Sequence, residues 1–281
     1  MKIGIDISQI VYQTGVSRYT VELVKHLLEL DPNNHYYLYA GSLRQRSTLR
    51  AFIKSLDPKK ISSKISYLSP KLLDIFWNSL NLFSPDCCQK LDIFHASNWA
   101  IPKTNCKLVT TIHDLTFLKY KKSHLPYSIK AHTRHLNRAK KYADHIITDS
   151  FSTKKDLVEY GIKAEKISVI YPAPAKLFKK ETNPKVINKT LAKYSLDLPF
   201  VLSVGTQEPR KNIKRLIKAY QSIKPKHNKL TLAIAGKFGW GDAIKPVLGV
   251  NLLGFVPDED LKILYSAAKV FVYPSLYEGF G

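Results

Sequence analysis

The chain has 281 residues, 44% of them hydrophobic, and carries 44 Lys and Arg against 22 Asp and Glu, a net charge of +22. That apolar content excludes wholesale disorder, and the length points to about two domains. The charge favours anionic partners, whether nucleic acid, anionic lipid or phosphorylated substrates, and it fits a solvated lysine-rich surface equally well. Residues 2–7 read as a buried strand interrupted by Asp6. A secretory signal would not carry that acid, and no apolar run is long enough to span a bilayer, so the chain is expected in the cytoplasm. Val16, Thr20, Leu23, Leu27 and Leu30 then recur at helical spacing. Strand patterns follow at 35–40, 91–95, 107–112, 144–149 and 166–170, with helical patterns at 43–55, 71–83, 127–143 and 151–160. Cys87, Cys88 and Cys106 form neither a disulfide framework nor a metal-ligand spacing, and read as free thiols.

Residues 171–185 interrupt the alternation. They hold Pro172, Pro174 and Pro184 with several lysines and read as a linker, which puts a domain junction near residue 175. Beyond it the alternation restarts: a strand at Leu198–Val204, a helix through Ile213, Leu216, Ile217 and Tyr220, a strand at Leu230–Ala235, a helix at Asp258–Ala268 and a strand at Val270–Tyr273. Strands alternating with helices predict an α/β class with two doubly wound, Rossmann-like parallel sheets. The second shows three clear strands before Gly281, and is expected to be incomplete.

Ligands of such sheets bind beyond the carboxyl ends of the strands. After the first strand, Thr14-Gly15 opens a helix whose N-terminal N–H groups suit a phosphate, although one glycine before a helix is more often a plain turn. After strand 107–112 comes His113-Asp114, where the His is placed to bond a hydroxyl or move a proton, or is simply structural. After strand 198–204 comes Gly205, then Glu208-Pro209-Arg210-Lys211-Asn212. Two cations at a helix start oppose the helix dipole, a local conflict that points to use in a site. After the last strand comes Glu278-Gly279-Phe280-Gly281, a carboxylate beside exposed backbone N–H groups, or a tight turn.

In order and spacing these motifs, together with Phe94-His95-Ala96-Ser97, Thr111-Ile112-His113-Asp114-Leu115, Ala143-Asp144-His145-Ile146-Ile147-Thr148-Asp149-Ser150, Gly254-Phe255-Val256-Pro257-Asp258 and Tyr273-Pro274-Ser275-Leu276-Tyr277-Glu278-Gly279-Phe280-Gly281, resemble glycosyltransferase family 4. The resemblance spans essentially the whole chain. It implies the GT-B fold, two Rossmann-like domains facing a cleft: residues 1–175 on the acceptor side, and 176–281, truncated, on the side of the nucleotide-sugar donor. It implies a retaining, metal-independent hexosyltransferase of cell-envelope polysaccharide synthesis that uses no cofactor beyond a GDP- or UDP-linked sugar co-substrate. Mannose is the usual sugar among relatives of this look, and no residue here decides it. Arg210 and Lys211 would stabilise the departing diphosphate, with Gly15 opposite and Gly205 near. Glu278, with the N–H groups of Gly279, Phe280 and Gly281, would hold sugar and phosphate. Gly254, Phe255 and Val256 would meet the base, and His113 the donor sugar or the acceptor. Two features depart from the pattern. Ser17 stands where many relatives have a second glycine, and the second glutamate of the Glu-x7-Glu motif would fall at position 286, past the last residue.

A glycan or lipid-linked acceptor is expected on the first domain. Helix 127–143 sets Lys130, Arg134, Arg138 and Lys141 on one face and Ile129, Leu136, Ala139 and Ala143 on another. The basic face is either solvated or rests on anionic membrane at the inner surface. The stripe around Trp77 reads as core rather than membrane contact. Two rival readings are a GT-B protein that binds nucleotide-sugar without catalysis and a basic nucleic-acid-binding protein. The second lacks a recognition platform, so nucleic acid is not expected as a partner.

Overall fold

The computed structural model describes residues 1–12, 14–31, 33–68, 72, 75–79, 90–97 and 100–280. Gly281, Cys87, Cys88 and most of the expected helix 71–83 lie outside them. The described residues form two compact units, Met1–Pro172 and Ala173–Gly279.

The first unit is built on seven parallel strands: β1 (Lys2–Asp6), β2 (His35–Gly41), β3 (Ile61–Ser66), β4 (Ile93–Ala96), β5 (Lys107–Ile112), β6 (His145–Thr148) and β7 (Ile167–Val169). Their order is β3-β2-β1-β4-β5-β6-β7. Its helices are α1 (Gly15–Leu30), α2 (Arg46–Lys54), the single turn α3 (Thr116–Lys119), α4 (Pro126–Tyr142) and α5 (Phe151–Glu159). α1 buries Ser17, Thr20, Val24 and Leu28, one stripe at steps of three and four. Ile5, Val24, Leu38 and Leu49 join β1 and β2 to α1 and α2, while Phe94, Leu108, Leu136, Ile146 and Leu157 join β4–β6 to α4 and α5. The order reverses beside β1, so the carboxyl ends of β1 and β4 open the crevice where ligands of such sheets sit.

The second unit has four parallel strands, β8 (Phe200–Val204), β9 (Thr231–Ala235), β10 (Val250–Gly254) and β11 (Val270–Phe271), in the order β10-β9-β8-β11. Its helices are α6 (Pro184–Lys193), α7 (Ile213–Ile223) and α8 (Asp258–Ala267). The period of two along β9 is visible in the packing. Leu232 and Ile234 meet the buried Ile213, Leu216, Ile217 and Tyr220 of α7, whereas Ala233 and Ala235 join Leu191 of α6 and Leu261 and Leu264 of α8. Each fully buried Leu or Ile here contributes roughly 1.5–3 kcal/mol. This sheet reverses between β8 and β11.

The structure corrects several expectations. The second sheet has a fourth strand, β10, and the first has β3, neither of them expected. Both lie at sheet edges, where one side stays open and a short mixed run such as Ile-Ser-Ser-Lys-Ile-Ser suffices. Residues 184–193, taken partly as linker, form α6. Pro184 occupies the first helical position, where its missing N–H costs nothing, and the Asn183 side chain accepts from Lys185 N at 3.0 Å. The last strand stops at Phe271. In 71–83 the described part includes a π-helical turn, Ile75–Ser79, whose Trp77 is 6% exposed and meets Phe94 edge-on at 6.2 Å. Trp77 is core, as expected.

Candidate active site

In the first unit, the loop after β1 runs through a 3-10 turn, Ser8–Tyr12, to Thr14, the N-cap of α1. Ser17, the departure from the family pattern, ties this loop together. Its hydroxyl accepts from Thr14 N at 3.2 Å and donates to Gln9 O at 2.6 Å. Gly15 follows the cap, and a Cβ built on it would meet nothing within 4 Å. Packing among the described residues therefore does not demand a glycine there.

His113 stands just beyond β5. Its Nδ1 lies 2.7 Å from Asp149 Oδ2, just beyond β6, and its ring takes the edge of Tyr19 at 4.8 Å and 83°. Thr153 Oγ1 donates to the His113 carbonyl at 3.1 Å, and the buried Nε2 has no hydrogen-bond partner among the described residues. Asp114, adjacent in sequence, does not touch the imidazole in this arrangement. Its Oδ1 accepts from Thr116 N at 2.9 Å and from Thr116 Oγ1 at 2.5 Å, at the start of α3. Behind His113, His95 Nε2 and Tyr19 Oη both reach Thr111 Oγ1, at 2.9 and 3.3 Å. Burial, and then the neighbouring His113, push the His95 imidazole down to about 4, so it is neutral at physiological pH.

In the second unit, the loops after β8 and β11 meet at the point where the strand order reverses. Pro209–Lys211 form a 3-10 turn that ends at Asn212, which takes a left-handed conformation (φ 57°) and donates through Nδ2 to Pro274 O at 3.1 Å. Arg210 reaches Glu208 Oε1 at 2.6 Å through Nη2, and Glu278 Oε2 at 2.5 Å and Tyr277 O at 3.0 Å through Nη1. Lys211 Nζ binds Glu278 Oε1 at 2.6 Å and Tyr273 Oη at 2.5 Å. The four charged side chains are each at most 15% exposed. Two carboxylates thus answer the two cations, which removes the helix-dipole conflict seen in the sequence. Burial would raise the Glu278 carboxyl, but hydrogen bonds from Lys211 and Ser275 and both cations hold it below its ordinary value; at Glu208 burial wins over Arg210 and Lys211, and its carboxyl is raised.

The glycines of this unit form a contiguous rim. Gly205 N–H donates to Ala235 O at 2.8 Å and Gly236 N–H to Gly254 O at 2.7 Å. A Cβ on Gly236 (φ 146°) would lie 1.9 Å from Gly205 O, so nothing larger fits, while Gly254 holds φ 67° at the end of β10. Phe255 is exposed with Lys237 Nζ 4.6 Å from its ring centre, whereas Val256 is buried in the core and offers a ligand only its backbone. Gly279 is buried and Phe280 exposed.

The structure therefore brings Arg210, Lys211 and Glu278 into direct contact, with Gly205, Gly236 and Gly254 beside them in the same unit. His113 and Gly15 belong to the other unit. Four residues were missed as site members: Asp149, Glu208, Tyr273 and Lys237. All follow strand ends, so taking every residue beyond each strand would have found them.

Residues 13–173 match glycosyltransferase family 4, and residues 187–281 match the glycosyl transferases group 1 family. The chain belongs to glycosyltransferase family 4. It is 30% identical over 297 residues to O-antigen chain mannosyltransferase B of Escherichia coli, covering 95% of this chain and 74% of that one. O-antigen chain mannosyltransferase RfbU of Salmonella typhimurium is 30% identical over 183 residues, 61% of this chain and 46% of the relative. Among solved structures, Anabaena HepE in complex with UDP and glucose superposes with a TM-score of 0.66 at 18% identity, over all of this chain and 76% of that one. WaaG, a glycosyltransferase involved in lipopolysaccharide biosynthesis, gives 0.66 at 14% identity, over 99% and 76%. The family 4 glycosyltransferase fold, GT-B, accounts for both sheets.

Proposed function

We propose that this glycosyltransferase transfers mannose, with retention, from a nucleoside-diphosphate sugar to the glycan of a cell-envelope polysaccharide of the O-antigen kind. The reading is carried by the charged cluster of Arg210, Lys211 and Glu278 at the reversal point of the second sheet. Two cations on one short turn suit a leaving diphosphate, whose developing charge they neutralise in place of a metal ion. Glu278 and the backbone of Gly279 hold sugar hydroxyls, the backbone of Gly254–Val256 meets the base, and His113 bonds a sugar hydroxyl. The mannosyltransferase relatives support the sugar, and the neighbour bound to UDP and glucose supports a nucleotide-linked donor. The acceptor rests on the first unit. There α4 lines an open cavity of about 540 Å³ with Lys130, Arg134 and Lys141. Arg138, expected with them on one basic face, solvated or against anionic lipid, is instead 9% exposed and donates through Nε to Ile101 O at 3.0 Å. Among the described residues no helix is long and apolar enough to cross a membrane.

The test is transfer from labelled GDP-mannose, with UDP-linked sugars as comparison, in the presence of EDTA. Replacing Arg210 and Lys211 together with Ala is expected to lower kcat by about 10³-fold or more with the circular dichroism spectrum unchanged. Rates equal to wild type would refute their role, and loss of transfer in EDTA would refute metal independence.

A further inference from the structure

Asp149 lies in a stretch that carries the family resemblance but has no role assigned from the sequence, and its place in the fold gives it a partner. Its side chain, 10% exposed, lies just past β6 with Oδ2 2.7 Å from His113 Nδ1. A carboxylate only accepts hydrogen bonds, so the proton of this pair sits on Nδ1. A neutral imidazole then presents a lone pair at Nε2, an atom that is buried and meets no hydrogen-bond partner among the described residues. Tyr19 packs edge-on against the ring and Thr153 holds the His113 carbonyl. A ligand hydroxyl meets such a buried acceptor and a phosphate oxygen does not.

We propose that Asp149 is a positioning residue: it fixes His113 in the Nδ1–H tautomer, so that Nε2 accepts a hydrogen bond from a sugar hydroxyl of the donor or the acceptor. The identity of the ligand as a sugar rests on the function proposed above, whereas the tautomer does not. In the Asp149→Asn variant the amide NH2 donates to Nδ1, the proton moves to Nε2, and the ring turns from acceptor to donor at the point where it meets substrate.

The tautomer is read directly by NMR of the 281-residue chain with ¹⁵N-labelled histidine, His113 being assigned through a His113→Ala variant. Wild type is expected to show Nδ1 protonated and Nε2 not, and Asp149→Asn the reverse. Should the Asn variant not fold, Asp149→Ala is expected to show a mixture of the two forms. In transfer assays Asp149→Asn lowers kcat by about 10²-fold. Added to His113→Ala it lowers the rate no further, because it acts through the imidazole. Donors lacking one hydroxyl at a time distinguish the two sources: a single deoxy donor insensitive to Asp149→Asn assigns the hydroxyl to the donor, and none assigns it to the acceptor. A protonated Nε2 in wild type, or losses in the two variants that multiply, overturns the proposal. If no nucleotide-sugar supports transfer, the function falls while the tautomer measurement still decides the part played by Asp149.

Discussion

The two units build their candidate sites from opposite materials. Beyond the strands of the first unit the groups around His113 are mostly neutral or buried: an imidazole held by one carboxylate, a second imidazole driven neutral by burial, a phenol and a threonine hydroxyl. Beyond the strands of the second, two cations and two carboxylates contact one another directly. Directional hydrogen bonds suit recognition of hydroxyl groups, whereas mobile charge on a fixed turn suits a group that gains charge as it leaves.

Acid sharpens this contrast most. The first unit buries His95 and His135, whose imidazoles burial pushes down to about 4 and about 3, with neighbouring His113 and His132 adding to the effect. A folded value below the ordinary 6.5 means that the unfolded chain takes up the proton first. The stabilisation is whole above pH 6.5 and is lost as pH falls through 6.5 toward 4. At pH 5 the two histidines together remove on the order of 4 kcal/mol from the first unit. In the second unit the only histidine is the exposed His227, and Glu278 titrates below its ordinary 4.5. Hydrogen exchange at pH 5 is therefore expected to open the first unit while β8 and β9 stay protected. Equal loss in both units would break the contrast.

A next, smaller effect separates two glycines. Gly236→Ala puts a methyl 1.9 Å from Gly205 O and is expected to cost about 2–4 kcal/mol, read as a lowered Tm of the second unit. Gly15→Ala meets nothing within 4 Å, and is expected to change stability by less than about 0.5 kcal/mol. If Gly15 serves as a phosphate approach, the same variant raises the donor KM several-fold. A stable variant with unaltered KM would remove Gly15 from the site.

Much of this was legible in the chain. Buried parallel strands such as β5 and β9 are continuous apolar or β-branched runs, and helix α7 spaces Ile213, Leu216, Ile217 and Tyr220 for one face. The strands β3 and β10 were hidden because edges need little apolar pattern, and α6 because Pro184 reads as a breaker unless Asn183 is seen as its cap. In the site, Arg210, Lys211 and Glu278 stood out by charge and by position after a strand. The pairing of His113 with Asp149 did not, because the two are 36 residues apart and only the neighbouring β5 and β6 bring them together. The adjacent Asp114 bonds Thr116 at the start of α3 instead.

The loops carrying the charged cluster are knitted to each other through main-chain atoms: Leu276 N to Arg210 O at 2.9 Å, Gln207 N to Lys237 O at 2.9 Å and Gly239 N to Gln207 O at 3.0 Å. Such stitching is indifferent to which side chains the loops display. Exchangeable fittings on a fixed chassis can be altered one at a time, so side chains such as Phe255 and Lys237 can be replaced without rebuilding the frame that Gly205 and Gly236 close.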